Sequence, residues 1–337
     1  MLGSIESVSK PEHLLIVGVN WIGDAVMSMP AIQAWRRAHP EAHLTVLVKK
    51  PLVPLWRMHA APDAVNTYGD ARSDLREAVR TIRRELPQRA VIFPNSFRSA
   101  LPPFLARVPQ RIARRGQWRR ALLTDVLPPL ESPVHQSLEY YDLLGMPRPP
   151  DGAEYPRLQV PVDAKKSAEQ WLSGLARPLL GVMPGAARGP AKRWPVERYA
   201  DLAQRWAHET GGSVVAMGAG SDSLAADSIV GAAQRGLNLA GKTSLAEWAA
   251  SVEECDAVVC NDSGGMHLAA AFGRPVVAVF GATDPRVTGP LGPRARVVQG
   301  EGPRARSISR SDEDAVKRLA AISSARVYEE LMQNLAT

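Results

Sequence analysis

The stretch VVCNDSGGMHLAAAFGRP, Val258 to Pro275, decides the fold. An apolar run, Ala257 to Cys260, breaks at Asn261-Asp262-Ser263, passes Gly264 and Gly265, and continues as Met266, His267 and an alanine-rich segment with helical spacing. The pattern is strand, tight turn, helix. The first N–H groups of such a helix have no intrahelical partner and carry the positive end of its dipole, so the turn offers an anion site. Its two glycines put no Cβ in the way of a phosphate. The same residues equally suit an ordinary helix capped by Asp262 or Ser263.

The stretch stands within a repeated alternation. Around it run PLLGVMPG, a helix from Val196 to Glu209, SVVAMG, a helix from Ser221 to Gln234, LNLAG, a helix from Ser244 to Glu254 and, after it, VVAVFG. The first half reads likewise: strand His13 to Asn20, helix Ala25 to Ala38, strand His43 to Lys50, helix Asp74 to Leu86, strand Arg89 to Asn95, helix Ser96 to Arg107. Alternation of this kind builds mostly parallel sheets covered on both faces. Proline-punctuated sequence from Met146 to Pro178, with a helix near Ala164 to Leu175, marks the domain junction. The expectation is an α/β protein of two doubly wound, Rossmann-like domains, 1–160 and 161–323. These face each other across a cleft at the carboxyl ends of their strands, where ligands bind in open α/β sheets.

Composition narrows the class. Of 337 residues, 45% are apolar and 22% charged, and no apolar run reaches the roughly 20 residues of a membrane span. The first residues lack a signal-peptide pattern, and two cysteines, Cys255 and Cys260, suggest neither a disulfide framework nor a metal site. A cytoplasmic protein without a metal ion is expected. The formal charge of +7 is uneven: Pro94 to Thr124 holds no acidic residue but includes Arg98, Arg107, Arg111, Arg114, Arg115, Arg119 and Arg120, with Trp118 among them. Such a block suits an anionic substrate or membrane surface, a solvated face, or nucleic acid.

Motifs exclude as much as they suggest. No G-x-G-x-x-G follows a strand, which argues against a nicotinamide cofactor. Gly236 to Thr243 fits G-x-x-x-x-G-K-[ST] formally, but LNLAG within it reads as the strand that a phosphate loop must follow. Lys192, in the loop before a helix that begins at Pro195-Val196, is either a phosphate contact or a solvated lysine. Asp222 either accepts from ribose hydroxyls or caps its helix. Asp24, just past the first strand, is either an N-cap or a base for an attacking hydroxyl, ionised with help from the helix dipole.

WIGDAVMSMPAI, FPNSFRSAL, PGAARGPAKRWP, NLAGKTSL and NDSGGMHLAAAFGRPVVAVFGATDP, in this order over nearly the whole chain, resemble the heptosyltransferases of lipopolysaccharide core assembly, glycosyltransferase family nine. Within the family the similarity is closest to the branch that adds the outer of the two core heptoses. The resemblance implies a GT-B fold, with donor on the C-terminal domain, acceptor on the N-terminal one, and a last helix, about 324–336, crossing back to the first domain. It also implies inverting, metal-independent transfer of L-glycero-D-manno-heptose from ADP-heptose to the first heptose of a lipid-linked inner core, by a cofactor-free monomer visiting the anionic inner face of the inner membrane. By motif matching, Asp24 is the catalytic base. Lys192, Asp262, Ser263, Gly264, Gly265, Met266 and His267 hold the diphosphate, and Asp222 and Thr243 lie near ribose and adenine. Asn95, Ser96, Arg98, Arg115 and Arg120 meet the acceptor. No nucleic acid is then expected.

Two departures bear on specificity. The family's usual PGAEFGPAKRWP has a glutamate where this chain has Ala187, followed by Arg188, which keeps another nucleotide-sugar or a soluble acceptor open. The stretch Val298 to Ala320 lacks the cysteine and histidine that many relatives carry there.

Overall fold

Each half of the chain builds one six-stranded parallel sheet, because its buried strands are short β-branched runs separated by amphipathic helices. The structure, a computed structural model, describes residues 12–116, 118–130, 134–150, 154–187, 189–306 and 308–337. The first sheet comprises β1 (His13–Val17), β2 (His43–Lys49), β3 (Ala64–Tyr68), β4 (Arg89–Ile92), β5 (Gln110–Arg114) and β6 (Asp125–Leu127) in the order β3-β2-β1-β4-β5-β6. The second comprises β7 (Leu179–Met183), β8 (Ser213–Ala216), β9 (Gly236–Asn238), β10 (Ala257–Asn261), β11 (Val276–Phe280) and β12 (Ala295–Gln299) in the order β12-β11-β10-β7-β8-β9. The strand order reverses between β1 and β4 in one sheet and between β7 and β10 in the other, and such switch points are where these sheets bind ligands.

The contacts divide the chain into two units, but not as a simple halving. Of the described residues, the first unit takes 12–20, 31–130 and 140–147, and the second takes 21–30, 134–139 and everything from 148. The first unit is thus not one contiguous stretch of chain: the turn after β1 and the segment 134–139 cluster with the residues of the second sheet. The last helix, Ser324–Leu335, belongs to the second unit. It packs Val327, Tyr328 and Leu331 into the second core beside Trp194, Tyr199 and Trp206. Asn334 fixes it there, donating to the carbonyls of Val276 (3.3 Å) and Arg294 (2.9 Å), which an apolar stripe alone would not satisfy.

Cys255 and Cys260 are both buried thiols, unpaired, and burial raises the pKa of each. The formal phosphate-loop match fails on structure. β9 occupies its first residues, and the Lys242 ammonium donates to the Asn238 carbonyl at 2.9 Å.

Candidate active site

The site is assembled at the switch point of the second sheet, where β10 and β7 run side by side. Asn261, the last residue of β10 and fully buried, joins the two strand ends. Its side-chain oxygen accepts from the Trp194 N–H (2.9 Å) and the Tyr199 hydroxyl (3.0 Å), and its amide donates to the Pro184 carbonyl (2.7 Å). This fixes the loop that carries Lys192 against the turn that carries Asp262. Lys192 forms an ion pair with Asp262, the two side chains only 11% and 8% exposed, and the Thr283 hydroxyl donates to the same carboxylate at 2.7 Å.

The helix after the turn spans Gly264–Ala271, two residues earlier than its sequence spacing implies. Ser263 occupies the N-cap position with extended backbone, yet its side chain makes no cap hydrogen bond, and Asp262 is engaged by Lys192 and Thr283. Ser263 therefore does not cap the helix, and Ser263 and Gly264, at the helix start, line the pocket. His267, one turn along, is 5% exposed, and burial lowers its pKa to about 4 against the opposing pull of Asp262, so near neutral pH its ring carries no charge. Met266 points into the core.

The glycines answer to protein contacts. A Cβ on Gly265 would meet the Met183 sulfur at 2.2 Å, and one on Gly264 would meet Ile22 Cβ at 2.9 Å. Gly23 is the reciprocal case, its Cβ falling 2.8 Å from His267 Cδ2. Ile22 and Gly23, the first residues of the helix Ile22–Ala38, thus lie directly on the start of the helix Gly264–Ala271, and Asp24 follows them into the same pocket. Trp21, Gly23, Asp24, Met27 and Gln136 line that pocket with Ala187, Lys192, Asp262, Ser263, Gly264, His267 and Thr288, all within the second unit. Gln136 donates to Asp24 Oδ1 at 3.1 Å. Replacing Gly23 by Ala must displace a buried ring or shift the helix start. Turnover is expected to fall roughly tenfold to a hundredfold, and wild-type steady-state rates would show that the close contact is dispensable.

Several expected site residues lie elsewhere. Asp222 turns inward, accepting from the Ala219 N–H (3.0 Å) and pairing with Arg193 (3.3 Å), and neither it nor Thr243 lines the pocket. In the first unit, Asn95 accepts from Arg119 at 3.2 Å and Ser96 caps the helix Phe97–Leu105 by accepting from the Ser99 N–H. Arg98, Arg115 and Arg120 are exposed, and Arg98 pairs with Asp70 at 3.0 Å. The arginine block is partly internal: Arg111 donates to Leu122 O, Arg114 pairs with Asp142, and Arg119 is fully buried. Arg119 donates to Pro94 O, Asn95 Oδ1 and Arg114 O, and burial lowers its pKa to about 10. Arg119→Met leaves these acceptors orphaned and is expected to cost about 2–3 kcal/mol of stability, against less than about 0.5 kcal/mol for Arg120→Ala, as read by urea unfolding.

Trp21, Gly23, Met27, Gln136 and Thr288 are pocket residues that sequence reasoning did not single out; Gln136, a lone glutamine 112 positions from Asp24, belongs to no motif. Among the described residues no group of three or more His, Cys, Asp or Glu could hold a metal ion, and no helix is long and apolar enough to cross a membrane. Arg188 lies outside the described residues.

Residues 75–318 match the family model Glycosyltransferase family 9 (heptosyltransferase). The chain is 35% identical over 305 residues to lipopolysaccharide heptosyltransferase 2 of Escherichia coli K12, covering 85% of this chain and 87% of that protein. It is 33% identical over 308 residues to lipooligosaccharide heptosyltransferase 2 of Haemophilus ducreyi, covering 85% and 88%. The solved structure of E. coli ADP-heptose LPS heptosyltransferase II superposes with a TM-score of 0.82 at 32% identity, over 96% of this chain and 98% of that one. The architecture is the GT-B fold of these enzymes. Sheet order, pocket and sequence therefore converge, and the chain belongs to glycosyltransferase family 9, the heptosyltransferases.

Proposed function

We propose that this chain is an inverting, metal-independent glycosyltransferase that moves L-glycero-D-manno-heptose from ADP-heptose onto the first heptose of the lipopolysaccharide inner core. The observation that carries the reading is one pocket holding Asp24 together with Lys192 and a helix start that Ser263 leaves uncapped. Asp24 takes the proton of the acceptor hydroxyl as that oxygen attacks the anomeric carbon. The C–O bond to the diphosphate breaks on the opposite face, and the growing charge on ADP meets Lys192 and the N–H groups of the helix Gly264–Ala271. Fixed donors aimed at a developing anion supply the stabilisation that a divalent cation supplies in other transferases. The relatives' names support the donor and acceptor classes.

In the same reading the exposed Arg98, Arg115 and Arg120 meet an anionic, lipid-linked acceptor. The enzyme works as a monomer at the cytoplasmic face of the inner membrane, each arginine near an anionic surface contributing on the order of 1 kcal/mol. Nucleic acid is the weaker partner, because Arg111, Arg114 and Arg119 are consumed by internal contacts. A second reading, transfer of another sugar from a related donor, is favoured by one observation: Ala187 lines the pocket where the family has glutamate. A donor panel offered with one-heptose core lipid A separates them. Product with ADP-heptose alone supports the first reading, and product only with a different nucleotide-sugar overturns it.

A further inference from the structure

We infer that Gln136 is a positioning residue for Asp24, holding its carboxylate ionised and aimed while adding no charge of its own; the inference rests on the reading of Asp24 as base. An ionised carboxylate only accepts, so Gln136 must present its NH2 group across the 3.1 Å contact to Oδ1. A neutral donor suits a base. A cation in that place would weaken its basicity, and a second carboxylate would drive it to hold a proton.

The segment that carries Gln136 is anchored on both sides. His135 Nε2 contacts the Gly289 carbonyl at 3.1 Å, and because a carbonyl cannot donate, that nitrogen bears the proton. Nδ1 is left as acceptor for the Ser137 hydroxyl (2.8 Å) and the Ser137 N–H (3.3 Å), the pattern of a neutral ring, and burial lowers the pKa of His135 accordingly. On the other side Glu139 pairs with Arg306 at 2.6 Å, its side chain 15% exposed. Residues 134–139 depart from the first unit only for this stretch, and three of its polar side chains, Gln136, His135 and Glu139, attach it to Asp24, to the 289 loop and to Arg306. Of the three, Gln136 lines the pocket.

The other titratable groups lining the pocket are Lys192, Asp262 and His267. The first two form an ion pair and the third is uncharged near neutral pH.

The test compares Gln136→Met, which keeps the length but has no donor, and Gln136→Glu, which keeps the shape but adds a carboxylate, with Asp24→Asn. For each, kcat and kcat/KM are followed against pH with the donor that wild type turns over, ADP affinity by calorimetry, and Tm. Gln136→Met is expected to lower kcat about ten- to a hundredfold and to move the acid limb of the profile upward. Gln136→Glu moves that limb further, by about one pH unit or more. ADP affinity stays within about twofold in both. Unmoved acid limbs and wild-type kcat in both variants, beside an inactive Asp24→Asn, overturn the role of Gln136 and leave the base standing. Lost kcat with unmoved limbs, weakened ADP binding and lowered Tm also overturns it, as a merely structural contact. An active Asp24→Asn instead removes the base, and the positioning role with it. Should Gln136→Met fail to fold, the limb shift of Gln136→Glu decides alone.

Discussion

Asp24→Asn lowers turnover by at least about a hundredfold and leaves ADP affinity nearly intact. The amide keeps the shape of the side chain and can still accept from Gln136, so the loss is that of a proton acceptor. Asp24 also lies in the first turn of the helix Ile22–Ala38, where a carboxylate complements the dipole. That second role is measured separately, because it is worth at most about 1 kcal/mol and appears in Tm. A variant that loses only Tm, with turnover per folded molecule unchanged, would return Asp24 to a helix-start residue. Kinetics at saturating donor and acceptor, with calorimetric ADP titration, distinguish the two.

The second large effect is at Lys192. Lys192→Met removes a cation from the pocket and leaves Asp262, 8% exposed, with the Thr283 hydroxyl but no counter-charge. Breaking such a pair costs on the order of 3 kcal/mol. Binding suffers twice, since the diphosphate loses an attraction and meets an uncompensated carboxylate. ADP affinity is expected to fall by more than about tenfold. Adding Asp262→Asn removes the second effect but not the first. The double variant should regain most of the stability and part of the ADP affinity, while turnover stays low. Calorimetry and urea unfolding on the three variants test this, and ADP binding at wild-type strength in Lys192→Met would sever the lysine from the phosphate.

Much of the fold was legible because buried parallel strands are continuous apolar runs, and β1, β2, β4, β7, β8, β10 and β11 read that way. Four strands were not. β3, AVNTY, and β6, DVL, are the edges of the first sheet, β12, ARVVQ, is an edge of the second, and β5, QRIAR, buries only Ala113. Polar residues are tolerated where one face or one edge is open, so the apolar signal disappears. The arginine block hid β5 as well, its charge suggesting a surface where Arg119 is in fact a buried clamp on three main-chain and side-chain acceptors.

The site was legible where local sequence creates it. The turn Asn261 to Gly264, Lys192 and Asp24 each follow a strand, and each lines the pocket except Asn261, which ties its walls. What local sequence cannot carry is the partner across the pocket. The need for glycine at position 23 exists only because His267 is packed on it, and Gln136 matters only because Asp24 is beside it. Asp222 shows the converse. Its place after a strand suggests a ribose contact, while the close approach of Gly185 and Gly218 and its bond to the Ala219 N–H, which brace its own loop, are visible only in the fold.

The most direct measurement of the central claim is the linkage of the product. Purified protein is incubated with ADP-L-glycero-β-D-manno-heptose and one-heptose core lipid A in the presence of EDTA, and the new glycosidic bond is read by NMR after mass spectrometry confirms the added sugar. A single displacement with Asp24 as base predicts one heptose gained, in α linkage, with chelator present. A β linkage, or a reaction that EDTA abolishes and a divalent cation restores, would contradict it.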